Sequence, residues 1–437
     1  MKGEPTHRWP HVLPGGHAVL FTANSPTLNS YEDATIDVYT IATGERKTLW
    51  RGGYFPRYVP SDDGPGQLLY VQRGVLYGAP FDPVRLEIEG VPTALLDDVA
   101  ADPGSGAGHV DVSRTGALVY RSGTGSRPWN VSWVNSDGTA QPLLTKPGLY
   151  YSPRVSPDGQ RLALSIDEGK GADIFVYDLH RDVIRRLTFT GRLNADPVWT
   201  PDGTHLLFRG VSDAGWAIWW MRSDGAGEPQ RLLNIYVGDM GSNSLSSDGR
   251  LLIYSARRDQ GSYALWTVTL DLRDPDHPAP GAPQPFFHGP SNDTVPAISP
   301  DGRWVAYRSG DPGRTEIYVR PLAVGAPNAK GRWQISAAGS GNGAPVWSQD
   351  GRHLFFNVGS QLMVTEYTVS GNSFVASKPR VWSGARIRTN TGFSNYDVAP
   401  DGKRVAILTD SQADADNPRV TLILNFLADV HRRAPGK

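Results

Sequence analysis

The sequence predicts an all-β protein assembled from short repeated units, and three observations support this prediction. Glycine (49 residues) and proline (35 residues) together form about 19% of the 437-residue chain, against roughly 12% in average proteins. Both residues favour chain reversals, so their excess indicates many short elements. A turn motif recurs nine times, and helical periodicity is nearly absent outside residues 426–433.

The turn motif has the general form Ser/Thr-Pro-Asp-Gly, as at residues 156–159 and 299–302. Its Asp can accept a hydrogen bond from the backbone two residues on, and its Gly tolerates positive φ, so the motif reverses the chain between two strands. Successive motifs are 43 to 53 residues apart, a period typical of four-stranded propeller blades. The nine motif glycines are Gly16, Gly64, Gly116, Gly159, Gly203, Gly249, Gly302, Gly351 and Gly402.

Strand-like segments surround each motif in a constant order. Residues 197–199 precede one turn, and residues 205–208, 217–221 and 231–233 follow it. One such sheet cannot bury both of its faces, so the sheets must stack, and closing them into a ring protects their edges. The sequence therefore predicts a single β-propeller of about nine four-stranded blades over residues 1–437. Since the ninth blade lacks an obvious fourth strand, eight blades with an irregular terminal repeat are the alternative.

Composition limits the function classes. The formal net charge is −1 and no basic block stands out, so we expect no nucleic-acid partner. There is no cysteine, which excludes disulfides and thiolate chemistry. No apolar run is long enough for a transmembrane helix, and the first ten residues lack the apolar core of a signal peptide. We therefore expect a soluble chain without membrane insertion.

Two segments carry a family resemblance. The run Pro153–Gly159, taken with Ile174–Leu179, resembles the TolB-like propeller repeat, a relative of the WD repeat. Residues 7–16 and 420–426 resemble the propeller half of bacterial membrane-anchored serine/threonine kinases. This resemblance implies a sensing or docking role outside the cytoplasm, although sequence alone leaves the compartment open.

Catalytic motifs of the enzymes that carry such propellers are missing. The triplet His180-Arg181-Asp182 mimics a kinase catalytic loop, but Leu187 stands where the loop requires Asn. The sequence contains no kinase Gly-rich loop, no Gly-x-Ser-x-Gly nucleophile elbow and no Gly-x-x-x-x-Gly-Lys phosphate loop. Kinase and serine-hydrolase activities are therefore not expected.

The strand before each turn motif should line the central channel, and polar residues are frequent there. Such side chains can hold a ligand at the channel mouth. The channel candidates are His7, Arg8, Arg57, His109, Asp111, Arg154, Asn194, Asp196, Asn243, Asn292, Asp293, Asn342, Asn395 and Asp397.

Three functional hypotheses follow. The first is a binding or sensor module that takes a peptide, glycan, small molecule or protein partner at the channel mouth and one loop face. The second is a metal-dependent hydrolase of esters or phosphotriesters, in which His109, Asp196 and Asp293 hold Ca²⁺, Mn²⁺ or Zn²⁺ and a metal-bound water attacks. The third is a structural scaffold with a wet channel and no small ligand.

Overall fold

The fold was analysed in a computed structural model of the chain. It describes residues 6–430 apart from 25–30, 62–64, 114, 124–127, 169–170, 190–192, 213, 236–242, 258–261, 288–290, 312–313, 324, 326–330, 337–342, 389–393, 411–419 and 428–429. Forty short strands dominate, with one 3₁₀ turn at Tyr31–Asp33. Within the described part of the chain, no helix has the length and apolar character needed to cross a membrane. The all-β prediction is confirmed.

The chain divides into two compact units. The first consists of Met1–Arg127 with Gln412–Lys437, and the second of Pro128–Ser411. Each turn motif belongs to its own group of antiparallel strands, and these groups are called blades 1 to 9 in the order of their motifs. One parallel pairing, of Ala172 with Leu193, links blades 4 and 5. Blades 1 to 3 form the first unit, and blades 4 to 9 form the second.

The first unit contains three blades and a small hairpin. Blade 1 consists of β1 (Thr6–Val12), β2 (Ala18–Asn24), β3 (Thr35–Thr40) and β4 (Arg46–Arg51). Blade 2 consists of β5 (Tyr54–Val59), β6 (Gly66–Gln72), β7 (Val75–Asp82), β8 (Glu87–Ile88) and β9 (Thr93–Leu96). The hairpin pairs β10 (Ala101–Asp102) with β11 (Ala107–Gly108). Blade 3 combines β12 (Val110–Val112) and β13 (Leu118–Arg121) with β40 (Val420–Ile423), a strand from the far end of the chain.

Blades 4 to 8 of the second unit are continuous in sequence. Blade 4 has β16 (Leu149–Val155), β17 (Arg161–Asp167), β18 (Ala172–Asp178) and β19 (Val183–Arg186), and blade 5 has β20 (Leu193–Trp199), β21 (His205–Ser212), β22 (Gly215–Arg222) and β23 (Gln230–Asn234). Blade 6 has β24 (Asn243–Leu245), β25 (Leu251–Arg257), β26 (Tyr263–Asp271), β27 (Ala279–Pro280) and β28 (Gln284–Pro285). Blade 7 has β29 (Asp293–Ile298), β30 (Trp304–Asp311), β31 (Arg314–Pro321) and β32 (Trp333–Gln334), and blade 8 has β33 (Val346–Trp347), β34 (His353–Val358), β35 (Gln361–Ser370), β36 (Ser373–Ala376) and β37 (Arg380–Arg386).

Blade 9 is assembled from both ends of the second unit. Its inner strands are β38 (Tyr396–Val398) and β39 (Arg404–Asp410), and its outer strands are β14 (Trp129–Asn135) and β15 (Ala140–Pro142). Strand β14 pairs antiparallel with β39, from Trp129 opposite Asp410 to Asn135 opposite Arg404. The fourth strand that the ninth repeat lacks in sequence therefore comes from the segment before blade 4.

Apolar clusters lie between every pair of successive blades in the second unit. Ile174 packs with Phe208 between blades 4 and 5, and the series continues through blades 5 to 9. The last cluster joins blade 9 to blade 4, where Trp133 packs with Leu164 and Tyr177. The six sheets therefore close into a ring. In the first unit, two clusters join blades 1 to 2 and 2 to 3.

The turns form as their sequence predicts. In blade 6, the carboxylate of Asp248 accepts a hydrogen bond from the backbone N–H of Arg250 at 3.0 Å, two residues on, and Gly249 has φ 72°. Ser246 adds a second support, because its hydroxyl donates to Asp248 and accepts from the Leu251 N–H.

The propeller class is thus confirmed, while the number of blades in one ring is not. Nine motif-bearing blades are present, but six of them close among themselves. Neither nine nor eight blades in one ring is therefore confirmed, and the single domain over residues 1–437 stays a prediction.

A candidate binding site at the mouth of the six-bladed ring

Every blade of the second unit contributes to the lining of a common cavity of about 430 Å³. In each blade, one of the lining residues lies five positions before the motif glycine, near the end of the innermost strand. Pockets of this volume accommodate small molecules or short peptide segments. The six residues are Arg154, Val198, Ser244, Ala297, Val346 and Asp397.

Hydrogen bonds between neighbouring blades hold four of the six ring residues in place. Where the next blade carries Trp, its indole N–H donates to the backbone oxygen of the ring residue: Trp199 to Arg154 at 3.0 Å, and Trp347 to Ala297 at 2.9 Å. In two of the other blades, the ring side chain accepts a backbone N–H. Asp397 receives the N–H of Val155 at 2.8 Å, and Ser244 receives the N–H of Ile298 at 3.0 Å.

A β-bulge precedes the ring residue in several blades. Ser152, Asp196 and Val295 have φ values of 49°, 55° and 55°, and each is followed by proline. The pairing register shifts at these points, for example between Tyr151 and Arg154. Left-handed non-glycine residues are strained and persist only where the surroundings hold them. The bulge therefore changes the direction of the strand, and of its side chains, just before the ring residue that lines the cavity.

Blades 4 and 9 form the charged sector of the cavity. The Nη1 of Arg154 donates to the backbone oxygens of Pro153 at 3.0 Å and Tyr396 at 3.3 Å. Burial raises the pKa of Asp397, while the nearby Arg154 charge and the Val155 N–H oppose the rise. The guanidinium is thus held in place beside a carboxylate that bridges two blades.

Apolar groups and turn residues form the rest of the cavity. Trp199 and Trp347 line it and are also largely buried in the apolar clusters between neighbouring blades. Asn243 also lines it; this residue is 9% exposed, and its Nδ2 has no hydrogen-bond partner among the described residues. The outer rim is formed by Pro157, Pro201, Ser247, Pro300 and Gln349.

Only some of the predicted channel residues meet at this cavity. Arg154, Asn243 and Asp397 line it, whereas Asn194, Asp196, Asp293 and Asn395 belong to the same ring but do not. Asn194 instead donates to the Asp173 carboxylate at 3.0 Å, and Asn395 donates to the backbone oxygen of Arg388 at 3.1 Å. Asn292 accepts the Tyr263 N–H at 2.9 Å through its side chain. Asn342 lies outside the described residues.

The remaining candidates lie in the first unit. His7 packs edge-on against Phe21 with ring centroids 5.2 Å apart, and Arg8 donates to the backbone oxygen of Ser105 at 3.1 Å. Arg57 forms an ion pair with Asp111 at 3.4 Å. Burial, followed by the charge of Arg121, lowers the pKa of His109. These five residues, His7, Arg8, Arg57, His109 and Asp111, are therefore not part of the six-bladed ring.

The metal hypothesis gains no support from this placement. His109 is in the first unit, whereas Asp196 and Asp293 are in the second. The Asp196 carboxylate receives the Ser152 hydroxyl at 2.6 Å and pairs with Arg209 at 3.2 Å. Within the described residues, no group of three or more His, Asp or Glu side chains is placed to hold a metal ion. A divalent metal and the hydrolase that depends on it stay predictions.

The four uncharged residues of the six-residue ring are not among the candidates predicted from the sequence. Val198, Ala297, Val346 and Ser244 were not expected at the site, because the search favoured charged and amide side chains. A usable signal was present in the constant offset of five residues before each motif glycine. Applying that offset to the six motifs of the second unit selects the complete ring.

Comparisons with known proteins agree with this fold. Residues 128–276 match the family model of the TolB β-propeller domain. An uncharacterized protein of Agrobacterium fabrum is 25% identical over 296 residues, which cover 67% of this chain and 96% of that protein. The Tol-Pal system protein TolB of Helicobacter hepaticus is 26% identical over 137 residues, and that of Alcanivorax borkumensis is 45% identical over 67 residues. These two matches cover 31% and 14% of the TolB chains, so the chain spans only a small part of either.

Two TolB proteins are among the solved structures to which this chain is similar. A putative TolB from Agrobacterium tumefaciens has a TM-score of 0.49 and 19% identity, covering 65% of this chain and 99% of that one. TolB from Acinetobacter baumannii has a TM-score of 0.41 and 16% identity, covering 84% and 80%. The strand architecture confirms the β-propeller class, and the family-model match shows similarity to the TolB β-propeller over residues 128–276. The narrower resemblance to kinase-linked propellers and a location outside the cytoplasm stay predictions.

Proposed function

We propose that this TolB-like propeller is a binding module that takes a peptide segment of a partner protein at the mouth of its six-bladed ring. The observation that carries the proposal is the cavity to which every blade of the ring contributes one residue at the same offset from its turn. Inter-blade hydrogen bonds hold four of these residues, Arg154, Ser244, Ala297 and Asp397, in place before any ligand arrives. A pre-formed site of this kind loses little conformational entropy on binding.

The chemistry of the cavity suits a peptide. Trp199, Val198, Val346 and Trp347 offer apolar surface for side chains, and Arg154 offers hydrogen-bond donors. Mostly apolar walls with a few placed polar groups are typical of ligand sites. Two similar proteins carry the name Tol-Pal system protein, and membership of a named protein system agrees with a protein partner. A sensor role would follow if peptide binding were coupled to another part of the full protein.

The test blocks the mouth without touching the core. Ser247 and Gln349 are exposed turn residues on the rim, so Ser247→Trp and Gln349→Trp should fill the opening. Gln160 and Arg250 are exposed residues directly after two of the same turns and do not line the cavity, so Gln160→Trp and Arg250→Trp are matched controls. A displayed library of random heptapeptides is selected against the full chain, and the selected peptides are measured by fluorescence anisotropy.

We expect the double rim variant to bind the selected peptides at least about tenfold more weakly than wild type, which corresponds to roughly 1.4 kcal/mol. The control variant should bind like wild type. Selection of no peptide by the wild-type chain, or equal binding by rim and control variants, would refute the proposal.

A further inference from the structure

We infer that the mouth cavity anchors its peptide by a carboxylate, which the guanidinium of Arg154 receives. This inference rests on the proposed function and names the chemistry that the same site recognises. The carboxylate can belong to a peptide C-terminus or to an Asp or Glu side chain. It follows from which hydrogen-bonding groups of the cavity are already used and which are not.

Arg154 is held in place by two hydrogen bonds and still has unused N–H donors. A guanidinium has five N–H donors in a planar fork. The two hydrogen bonds of Arg154, to Pro153 and Tyr396, both start from Nη1. Nε and Nη2 form no hydrogen bond with the described residues, and the side chain lines the cavity. The edge of the guanidinium formed by Nε and Nη2 is therefore available to a ligand. A carboxylate fits this edge, because its two oxygens can accept two parallel hydrogen bonds.

Two acceptors of the cavity, in contrast, already hold bonds within the protein. Asp397 accepts the Val155 N–H and Ser244 accepts the Ile298 N–H, and both bonds join neighbouring blades. Burial raises the pKa of Asp397, while the nearby Arg154 charge lowers it. A ligand that supplies acceptors therefore matches the unused donors, whereas a cationic ligand would meet the Arg154 charge.

The apolar walls predict the neighbours of that carboxylate. Trp199 and Trp347 line the cavity together with Val198 and Val346. The residues adjacent to the anchoring group should therefore be aliphatic or aromatic, since their burial beside these side chains is favourable.

Four peptide mixtures test the inference on the full chain. All are hexapeptides with fluorescein at the N-terminus and equimolar Leu, Val, Ile, Phe and Ala at the variable positions. One pair has these residues at the last three positions and ends in a free carboxylate or an amide. The other pair is amidated and carries Asp/Glu or Asn/Gln between the variable residues. Binding is followed by anisotropy for wild type, Arg154→Gln, Arg154→Lys and Asp397→Asn.

We expect wild type to bind one carboxylate mixture at least tenfold more tightly than its neutral twin, and the preferred pair identifies the source of the carboxylate. Arg154→Gln should abolish that preference, and Arg154→Lys should restore part of it because the charge returns without the fork. Asp397→Asn should strengthen binding of the carboxylate mixture, because it removes a negative charge and retains an acceptor for the Val155 N–H.

The unfavourable outcomes separate the two ideas. Rim-dependent binding that is equal for the carboxylate mixtures and their neutral twins would overturn the carboxylate anchor and leave the peptide-binding function standing. If none of the four mixtures binds and the heptapeptide selection also fails, both ideas fail. The wild-type comparison of paired mixtures needs no variant, so a misfolded Arg154→Gln chain would not obscure the answer.

Discussion

At the residue scale, paired carboxylates and hydroxyls connect the outer strands of individual blades. In blade 4, the Thr188 hydroxyl donates to Asp173 at 2.6 Å and accepts the Ile174 N–H at 2.9 Å. Blade 7 repeats the arrangement: Ser336 donates to Glu316 and accepts the Ile317 N–H at 2.8 Å. All these groups are buried, so each hydroxyl satisfies a carboxylate and a backbone donor that water cannot reach.

Replacing Thr188 by Val keeps the shape of the side chain and removes both hydrogen bonds. The free energy of unfolding should fall by about 1–3 kcal/mol, because the Ile174 N–H and one bond to Asp173 are left unsatisfied in a buried position. Urea unfolding followed by tryptophan fluorescence measures the change. Thr368→Val, at an exposed position of an outer strand, is the control and should alter stability by less than about 0.5 kcal/mol. A similar change in both variants would contradict this account.

This network also shows where prediction from single residues stops. The polar side chain of Asn194 was expected in the channel because it precedes a turn motif, yet it bonds Asp173 of the neighbouring blade. Arg154 and Asn243 follow the same rule and do reach the cavity. Whether a polar side chain reaches the cavity or bonds a neighbouring blade depends on its position along the inner strand. The bulge at residues such as Asp196 shifts the strand register and so changes which side chains reach the cavity. Composition of the strand alone does not reveal the bulge.

At the element scale, the turns are the most predictable part of the molecule because their chemistry is local. The carboxylate of the motif Asp accepts the N–H two residues on in six turns, those of Asp158, Asp202, Asp248, Asp301, Asp350 and Asp401. The carboxylate and the N–H that it accepts are only two residues apart, so the local sequence specifies the turn. The second support by Ser or Thr at the first motif position is equally local.

Acid should weaken these turns. The Ser246 hydroxyl, and then the Arg250 N–H, lower the pKa of Asp248 in the folded chain. A carboxyl group with a depressed folded pKa contributes stability above its unfolded pKa and loses that contribution as the pH falls through the folded value. Asp248→Asn should therefore be less stable than wild type at pH 7, and the difference should shrink below about pH 4.

Urea unfolding of both chains between pH 7 and pH 3 measures this difference. Ser246→Ala is the matched variant, because it removes the largest cause of the shift and keeps the carboxyl group. Its stability should depend on pH less steeply than that of wild type in the acidic range. A difference between wild type and Asp248→Asn that stays constant with pH would contradict the assignment.

At the scale of the whole molecule, closure of the ring depends on strand pairings between segments that are distant in sequence. No local sequence pattern predicts these pairings. Strand β14 joins β39 across most of the second unit, and β40 joins β13 in the first. The repeats on either side of residue 128 carry the same motif, so sequence predicts nine similar blades without dividing them. The missing fourth strand of the ninth repeat was the one visible sign of long-range pairing. Its partner could not be chosen, because several strand-like segments fit a sheet edge equally well.

Six blades that close through their own strands should fold without the rest of the chain. We expect residues 128–411 to give a monomer with one cooperative urea transition, since all six inter-blade clusters lie inside this span.

Residues 143–411 lack β14 and β15 and therefore lose Val131, Trp133 and Val134 from the two clusters that flank blade 9. That fragment should unfold at lower urea or aggregate, because the β39 edge and apolar surface are exposed. Adding a peptide of residues 128–142 should restore the transition. Failure of residues 128–411 to fold while the full chain folds would show that the six blades depend on the first unit.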